Sequence, residues 1–439
     1  MAKFLFTVWP VPGHIHPNIA VAHELRKRGH EVRFYTGADV HPIIEGEGFS
    51  YFPFRSMSDD VFRRIVLSPE GIMSTRTNPL KATKLWREFL LETVPAQVED
   101  INSALDEWHP DVIVSDPSMW GPIFVIHESR DIPVAVFSYL IACLLPGRDA
   151  PLHAVSLPRP HNWLTRMRAN VIRSAVTLSA KLVIRRTNSI RADNGLPPLE
   201  TSLNGFTGQM PLYLMSGSAA FDYQRDDLPE SVHYVGACIW NKPTGQPPPD
   251  WLTQMPDDVP LVYVTEGTIP EKFPAVLNAA VQGLGGLPMN VVITTGTHRT
   301  ASDLGLDNVP PNIRVEQWVP LSDLLERVDL LVTTGGSNTV LGALSKGLPQ
   351  LVIPRLWDQP ENAWRVVEAN AGLRLSYNRC SPERLRESVQ RLLSEPSFKQ
   401  GAQRLASDLN RYGGAPYAAE LLEGLSQNNA SQDTSTNSA

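Results

Sequence analysis

The chain has 439 residues, 42% hydrophobic and 19% charged, which is enough for two globular domains that each bury a core. A formal net charge of −7 and a pI near 5.9 argue against nucleic acid or another polyanion as partner, because phosphate-backbone binding needs clustered surplus Lys and Arg. Cys143, Cys238 and Cys380 are far apart and lack CxxC spacing; they suggest neither a disulfide framework nor a zinc site and read as buried free thiols.

In chain order, the N-terminus carries one early Lys and a short apolar run before proline, which reads as a first core strand and not as a leader. With no secretion signal and no run of about twenty apolar residues, the expectation is a cytoplasmic protein without a membrane span; the apolar segment 131–147 reads as a buried strand and loop. Short β-rich runs followed by helical patterns recur at 3–9, 31–35, 111–115 and 133–137, and again at 261–265, 290–295, 330–334 and 350–354. Strands alternating with helices predict an α/β fold with two doubly wound parallel sheets. The expected division is an N-terminal domain over 1–240, a proline-rich linker over 241–260, and a C-terminal domain over 261–426 whose last helix packs back on the first domain. The polar stretch 427–439 is expected to be disordered. Residues 53–78, without a steady period, and the Arg-rich helical pattern 151–199 are candidates to shape an entrance or are solvated faces.

The first strand is followed by Val11-Pro12-Gly13-His14-Ile15-His16-Pro17 and a helix with apolar positions Ile19, Ala22 and Leu25, ended by Gly29. His14 thus falls on a strand-to-helix turn, at the carboxyl end of a parallel strand where open α/β sheets bind ligands. An imidazole suits proton removal near neutral pH when a carboxylate holds its tautomer, and Asp116, ending another expected strand, is the candidate partner. His16 reads as a lesser group of the pocket. Trp9, Met119, Trp120, Phe137 and Tyr139 are candidates to line a pocket for an aromatic or lipophilic molecule.

In the second half Val332-Thr-Thr-Gly-Gly-Ser-Asn-Thr339 runs from strand to helix through two glycines. Free amides at a helix N-terminus favour phosphate oxygens, so a diphosphate fits this turn, which is neither a Walker A loop nor a GxGxxG fingerprint. The turn could also be only a tight β–α connection, Trp318 a core aromatic, and Asp358-Gln359 a helix N-cap ahead of Pro360. Glu266, beside the expected phosphates, is electrostatically out of place there.

These motifs resemble the nucleotide-sugar-dependent glycosyltransferases of the macrolide, glycopeptide and plant secondary-metabolite type (GT1), with the GT-B fold of two Rossmann-like domains facing across a cleft. The likeness runs from Phe4 to about Leu425 and is most specific over 318–363. It implies that His14 is the general base and Asp116 its partner. It further implies that Trp318 and Val319 hold the nucleobase; that Thr268, Thr334, Gly335, Gly336, Ser337, Asn338 and Thr339 surround the diphosphate; and that Asp358 and Gln359 contact the sugar. Two departures stand out: Leu321 replaces the Gln of the Trp-x-Pro-Gln segment, and Thr334 replaces the usual His, leaving a hydroxyl able to donate but without charge. The plant-type Glu that holds ribose falls at Gly342. The resemblance implies inverting transfer from a UDP- or dTDP-sugar, used as co-substrate without a metal or other cofactor, to a small acceptor, by a monomer or homodimer. Rival readings are a MurG-like transferase or sugar-nucleotide epimerase on the same fold, and a catalytically silent binding protein.

Overall fold

Strands form where fully apolar runs suit a parallel sheet covered on both faces. β1 (Lys3–Thr7), β2 (Glu31–Thr36), β3 (Ser50–Pro53), β4 (Val112–Ser115), β5 (Val134–Ser138), β6 (Leu212–Ser216) and β7 (Val232–Gly236) make a seven-stranded sheet in the order β3-β2-β1-β4-β5-β6-β7. β8 (Leu261–Thr265), β9 (Asn290–Thr294), β10 (Ile313–Glu316), β11 (Leu330–Thr333), β12 (Gln350–Val352) and β13 (Gly372–Arg374) make a six-stranded sheet in the order β10-β9-β8-β11-β12-β13. All strand pairings in both are parallel. This computed structural model describes residues 1–68, 79–140, 145, 158–223, 225–240, 248–267, 274–296, 299–306 and 308–436.

Each sheet reverses its strand order once, between β1 and β4 and between β8 and β11. Such switch points open a crevice at the carboxyl ends of the strands. The helices that matter to the crevice are α1 (Pro12–Lys27), α2 (Pro79–Leu90), α3 (Val94–Trp108), α4 (Trp163–Asp193), α5 (Ala275–Leu284), α6 (Ser337–Ser345), α7 (Gln359–Glu368) and α8 (Ala415–Thr436). One face of the first sheet carries a core with α3, including Leu5, Ile101, Ile113 and Val136. Its other face buries Phe4, Phe6, Ile15, Ile19 and Leu25 together with Ala418, Ala419 and Leu422 of α8. The last helix therefore packs on α1, where Arg28 and His30 also pair with Glu423.

Three expectations change. α1 begins at Pro12, so His14 lies in its first turn and not on a turn ahead of it; proline is preorganised for a first helical position and loses no bond there. Residues 241–247 of the expected linker lie outside the described residues, and its second half includes a helical turn, Asp250–Thr253, whose Leu252 is buried in the C-terminal core. The expected disordered tail is helical as far as Thr436. Residues 427–436 contain no Pro or Gly, and extending a helix already anchored by packed residues adds one bond per residue without a new nucleus. Residues 437–439 lie outside the described part.

Further contacts join the halves. Phe221 is buried among Val340, Leu341 and Leu344 of α6. Beside it, Arg365 of α7 is fully buried and donates through Nε and Nη2 to Asp222 Oδ1 at 3.1 and 2.7 Å, with its guanidinium 4.4 Å from the Tyr223 ring. Two such charges without water are tolerable only when paired and well bonded.

Candidate active site

His14 and Asp116 come from the elements that flank the first switch point, α1 after β1 and the loop after β4. His14 Nδ1 lies 2.8 Å from Asp116 Oδ2. Asp116 is completely buried, and four donors hold it. Oδ1 accepts from the Ser118 amide at 2.9 Å and the Ser118 hydroxyl at 2.6 Å, an Asx turn in which the side chain satisfies the backbone two residues on. Oδ2 accepts from His14 and, at 2.8 Å, from the Tyr139 hydroxyl. Burial alone would raise the Asp116 carboxyl, but His14 and the Ser118 donors outweigh it and hold it below the ordinary value. It stays a carboxylate, so Nδ1, the His14 ring nitrogen that faces it, is the donor. Nε2 has no partner among the described residues, and the His14 side chain is 27% exposed. The outward nitrogen is therefore the one left open.

Tyr139, expected to line an acceptor pocket, belongs to this cluster instead. Its hydroxyl also contacts His14 Nδ1, the two rings lie 4.4 Å apart, and burial together with the Asp116 charge raises its pKa well above the ordinary value. The other pocket candidates divide. Trp9 is 1% exposed and stacks on Phe62 with centroids 5.7 Å apart, and Met119 is fully buried in the same core. Phe137 packs on the opposite face of the sheet, because neighbours along a strand alternate between faces. Only Trp120 is half-buried at the edge of that core, against Phe124. His16 rests on the Trp240 ring, centroids 4.5 Å apart.

The second switch point supplies the opposite wall. Gly335 has φ +95°, and a Cβ there would meet Val352 Cγ1 at 2.6 Å, so only glycine serves. Gly336 caps α6, which has no side-chain cap; the amides of Gly336, Asn338 and Thr339 have no acceptor among the described residues. These are the unsatisfied donors of a helix N-terminus, with its positive dipole end. Asp358 Oδ2 takes the Ser337 hydroxyl at 2.5 Å and the Asn362 amide at 2.8 Å, which ties the carboxylate to the glycine turn. Gln359 Oε1 accepts from the Arg355 and Leu356 amides, so that oxygen shapes its own loop. Asp358 stands at the N-cap of α7 but makes no capping bond.

Thr334 does not offer its proton to the cleft as the sequence suggested: its hydroxyl, buried, donates to the Glu266 carbonyl at 2.9 Å. Glu266 itself turns away from the turn, its Oε1 accepting from the Val276 amide at 3.0 Å in the first turn of α5, and burial raises its carboxyl above the ordinary value despite that bond. The Val319 side chain is buried in the C-terminal core, while Trp318 is 49% exposed. The departures at Leu321 and Gly342 are one packing solution: a Cβ at Gly342 would lie 3.3 Å from Leu325 and 3.5 Å from Leu321, so apolar side chains fill the space around it. Thr268 lies outside the described residues.

A direct bond joins the two walls. Pro17 sits inside α1 and has no N–H to give the carbonyl four residues back, which is that of Gly13. Asn338 Nδ2 donates to this Gly13 oxygen at 2.9 Å, next to His14. Sequence reasoning missed Trp86 and Trp357, whose rings meet edge-to-face across the cleft at 4.9 Å, and the Asp222–Arg365 pair. It also missed Asn362 and Ser118, for which spacing on a helix and the Asp-x-Ser turn were available signals.

Comparison with known proteins accords with this arrangement. Residues 11–143 match the glycosyltransferase family 28 N-terminal domain, and residues 279–425 match the C-terminal domain of erythromycin biosynthesis protein CIII-like proteins. The chain is 32% identical over 427 residues to 4'-demethylrebeccamycin synthase of Lentzea aerocolonigenes, covering 97% of this chain and 99% of that one. It is 27% identical to demethyllactenocin mycarosyltransferase of Streptomyces fradiae, covering 97% and 87%. Among solved structures, the glycotransferase of kitacinnamycin superposes with a TM-score of 0.74 at 22% identity, covering 97% and 99%, and the glycosyltransferase VinC in complex with dTDP with 0.69 at 22%, covering 97% and 100%. The parallel sheets, the crevice between their switch points and these likenesses together show that the chain belongs to the GT1-type natural-product glycosyltransferases of GT-B fold.

Proposed function

We propose that the protein is an inverting glycosyltransferase that moves a sugar from a UDP- or dTDP-sugar to a hydroxyl of a small, lipophilic or aromatic acceptor. The carrying observation is the opposition of two half-sites: a buried carboxylate holding His14 with Nε2 outward, and an uncapped helix start with free amides. In this reading His14 Nε2 takes the acceptor proton, the acceptor oxygen forms a bond to the anomeric carbon, and the bond from that carbon to the diphosphate oxygen breaks on the other side. One displacement inverts the anomeric configuration. Asp116 stabilises the imidazolium, and the amides of Gly336, Asn338 and Thr339, with Thr268 as a further contact, take the charge that develops on the diphosphate. Trp318 supplies a face for the base, with the Val319 backbone at its edge, while Asp358 and Gln359 meet sugar hydroxyls. The assignment needs neither a metal nor another cofactor. A natural-product acceptor is supported by the names of the relatives, a demethylrebeccamycin synthase and a mycarosyltransferase.

Two measurements test it. UDP or dTDP, each without added metal, should raise the thermal unfolding temperature as linkage requires, and the product formed from an α-linked donor should show a β-anomeric proton by NMR. Retention of configuration would overturn the single displacement. A silent binding protein is the second reading, favoured by one observation: the Thr334 hydroxyl is spent on Glu266. No stabilisation by UDP, dTDP or GDP at millimolar concentration would favour it.

A further inference from the structure

Resting on that reading, we propose that Trp357 is the residue that orients the acceptor, and that the acceptor is a planar polycyclic aromatic presenting a carbonyl or ether oxygen to the Trp357 Nε1–H. Trp357 holds a left-handed backbone conformation, φ +58°, which is costly for a bulky side chain and persists where the surroundings over-determine it. Its Nε1–H is buried without a partner among the described residues; an indole N–H normally finds one when buried. The residue immediately precedes Asp358, whose carboxylate is tied to Ser337 of the glycine turn and whose charge also bears on Tyr139 beside His14. Trp357 therefore adjoins the donor wall and packs against the N-terminal core through Trp86.

The ring environment is set from both domains. Trp357 meets Trp86 of α2 at 4.9 Å, Trp86 meets Phe89 at 6.1 Å, and Phe89 meets Trp9 at 4.3 Å. Trp86 and Trp357 are half-buried, whereas Trp9 is covered. At its half-buried end this run offers the flat apolar faces of Trp86 and Trp357, with Trp9 and Phe89 as a rigid backing. Polar specificity in such a site comes from donors that seek an acceptor, so a ligand oxygen with a free lone pair completes it and a ligand N–H does not. An acceptor lying here contacts both domains.

The test uses the full chain in the presence of whichever of UDP or dTDP stabilises it. Equilibrium dialysis gives Kd for a hydroxyanthraquinone and for the corresponding hydroxyanthracene, which keeps the flat shape and lacks the ring carbonyls. The wild type should bind the quinone about tenfold more tightly, the usual scale of one completed hydrogen bond. Trp357→Phe, which keeps a ring and loses the N–H, should bring the ratio of the two Kd values near one; Trp86→Leu should weaken both probes while keeping their ratio. Retained nucleotide stabilisation shows that each variant is folded. Equal affinity of the wild type for the two probes, an undiminished ratio in Trp357→Phe, or binding of neither probe overturns the proposal. If no nucleotide stabilises the chain, the transferase reading fails separately, and the same ratio measured without nucleotide still decides the role of Trp357.

Discussion

The two walls of the cleft differ in how far their polar groups are satisfied. On the N-terminal wall both oxygens of Asp116 are fully bonded and the imidazole is fixed by one nitrogen. On the C-terminal wall the amides of Gly336, Asn338 and Thr339 lack acceptors, and only Oδ2 of Asp358 is engaged by the described residues. A base must be in the right tautomer before the substrate comes, so its surroundings are complete in advance. On the proposed function a diphosphate brings its own acceptors to these donors, which accounts for a wall left receptive.

The largest effect comes from separating the walls. Asp222→Ala leaves the Arg365 charge buried and unpaired, and should lower stability by about 3 kcal/mol in urea unfolding; a loss near zero would show that the pair does not hold the domains. Tyr139→Phe should reduce kcat/KM about tenfold, the scale of one hydrogen bond. Because the removed donor competes for Asp116 Oδ2, the carboxylate should favour the imidazolium more, and the acid limb of the pH profile should move to higher pH; an unmoved limb would make Tyr139 only a packing residue. Asn338→Ala removes the bond to Gly13 and should lower kcat a few-fold, with hydrolysis of the donor rising relative to transfer as the walls loosen; an unchanged ratio would contradict this.

The smallest effect concerns Glu266. An acid whose folded pKa is raised binds its proton more firmly folded than unfolded, so stability falls as pH rises from the unfolded value through the folded one. Burial raises Glu266 in this way. Glu266→Gln keeps the acceptor for the Val276 amide and should melt above the wild type at pH 8, with the gap shrinking toward pH 4. A gap that does not depend on pH would show that the charge is not the cause.

What the sequence showed and what it hid follow from the range of the interactions. The central strands were legible because each is an unbroken buried run, as in Val134–Ser138. The edge strands β3, β7, β10 and β13 mix exposed or half-buried positions into three to five residues, and β6, Leu-Tyr-Leu-Met-Ser, is a fully buried run without the β-branched residues that tell a strand from a buried helical segment. His14 and Asp116 were legible because both follow strands that flank a switch point. Tyr139 is legible as a residue near the site, but the meeting of its hydroxyl with Asp116 depends on the pairing of β5 with β4, which its local sequence does not show. Phe137 was placed on the wrong side of the sheet, although it shares its face with Ala135 and not with Val136. The Asn338–Gly13 bond joins residues 325 positions apart, and Trp86–Trp357 also crosses between domains; no local pattern encodes either.

The central claim is that His14 removes the acceptor proton opposite a separately formed nucleotide site. The most direct test measures His14→Ala for transfer and for stabilisation by the same nucleotide. The account predicts a roughly thousandfold loss of kcat, within the range of general base catalysis, with the thermal shift by UDP or dTDP unchanged. Transfer at the wild-type rate with nucleotide binding intact would contradict it.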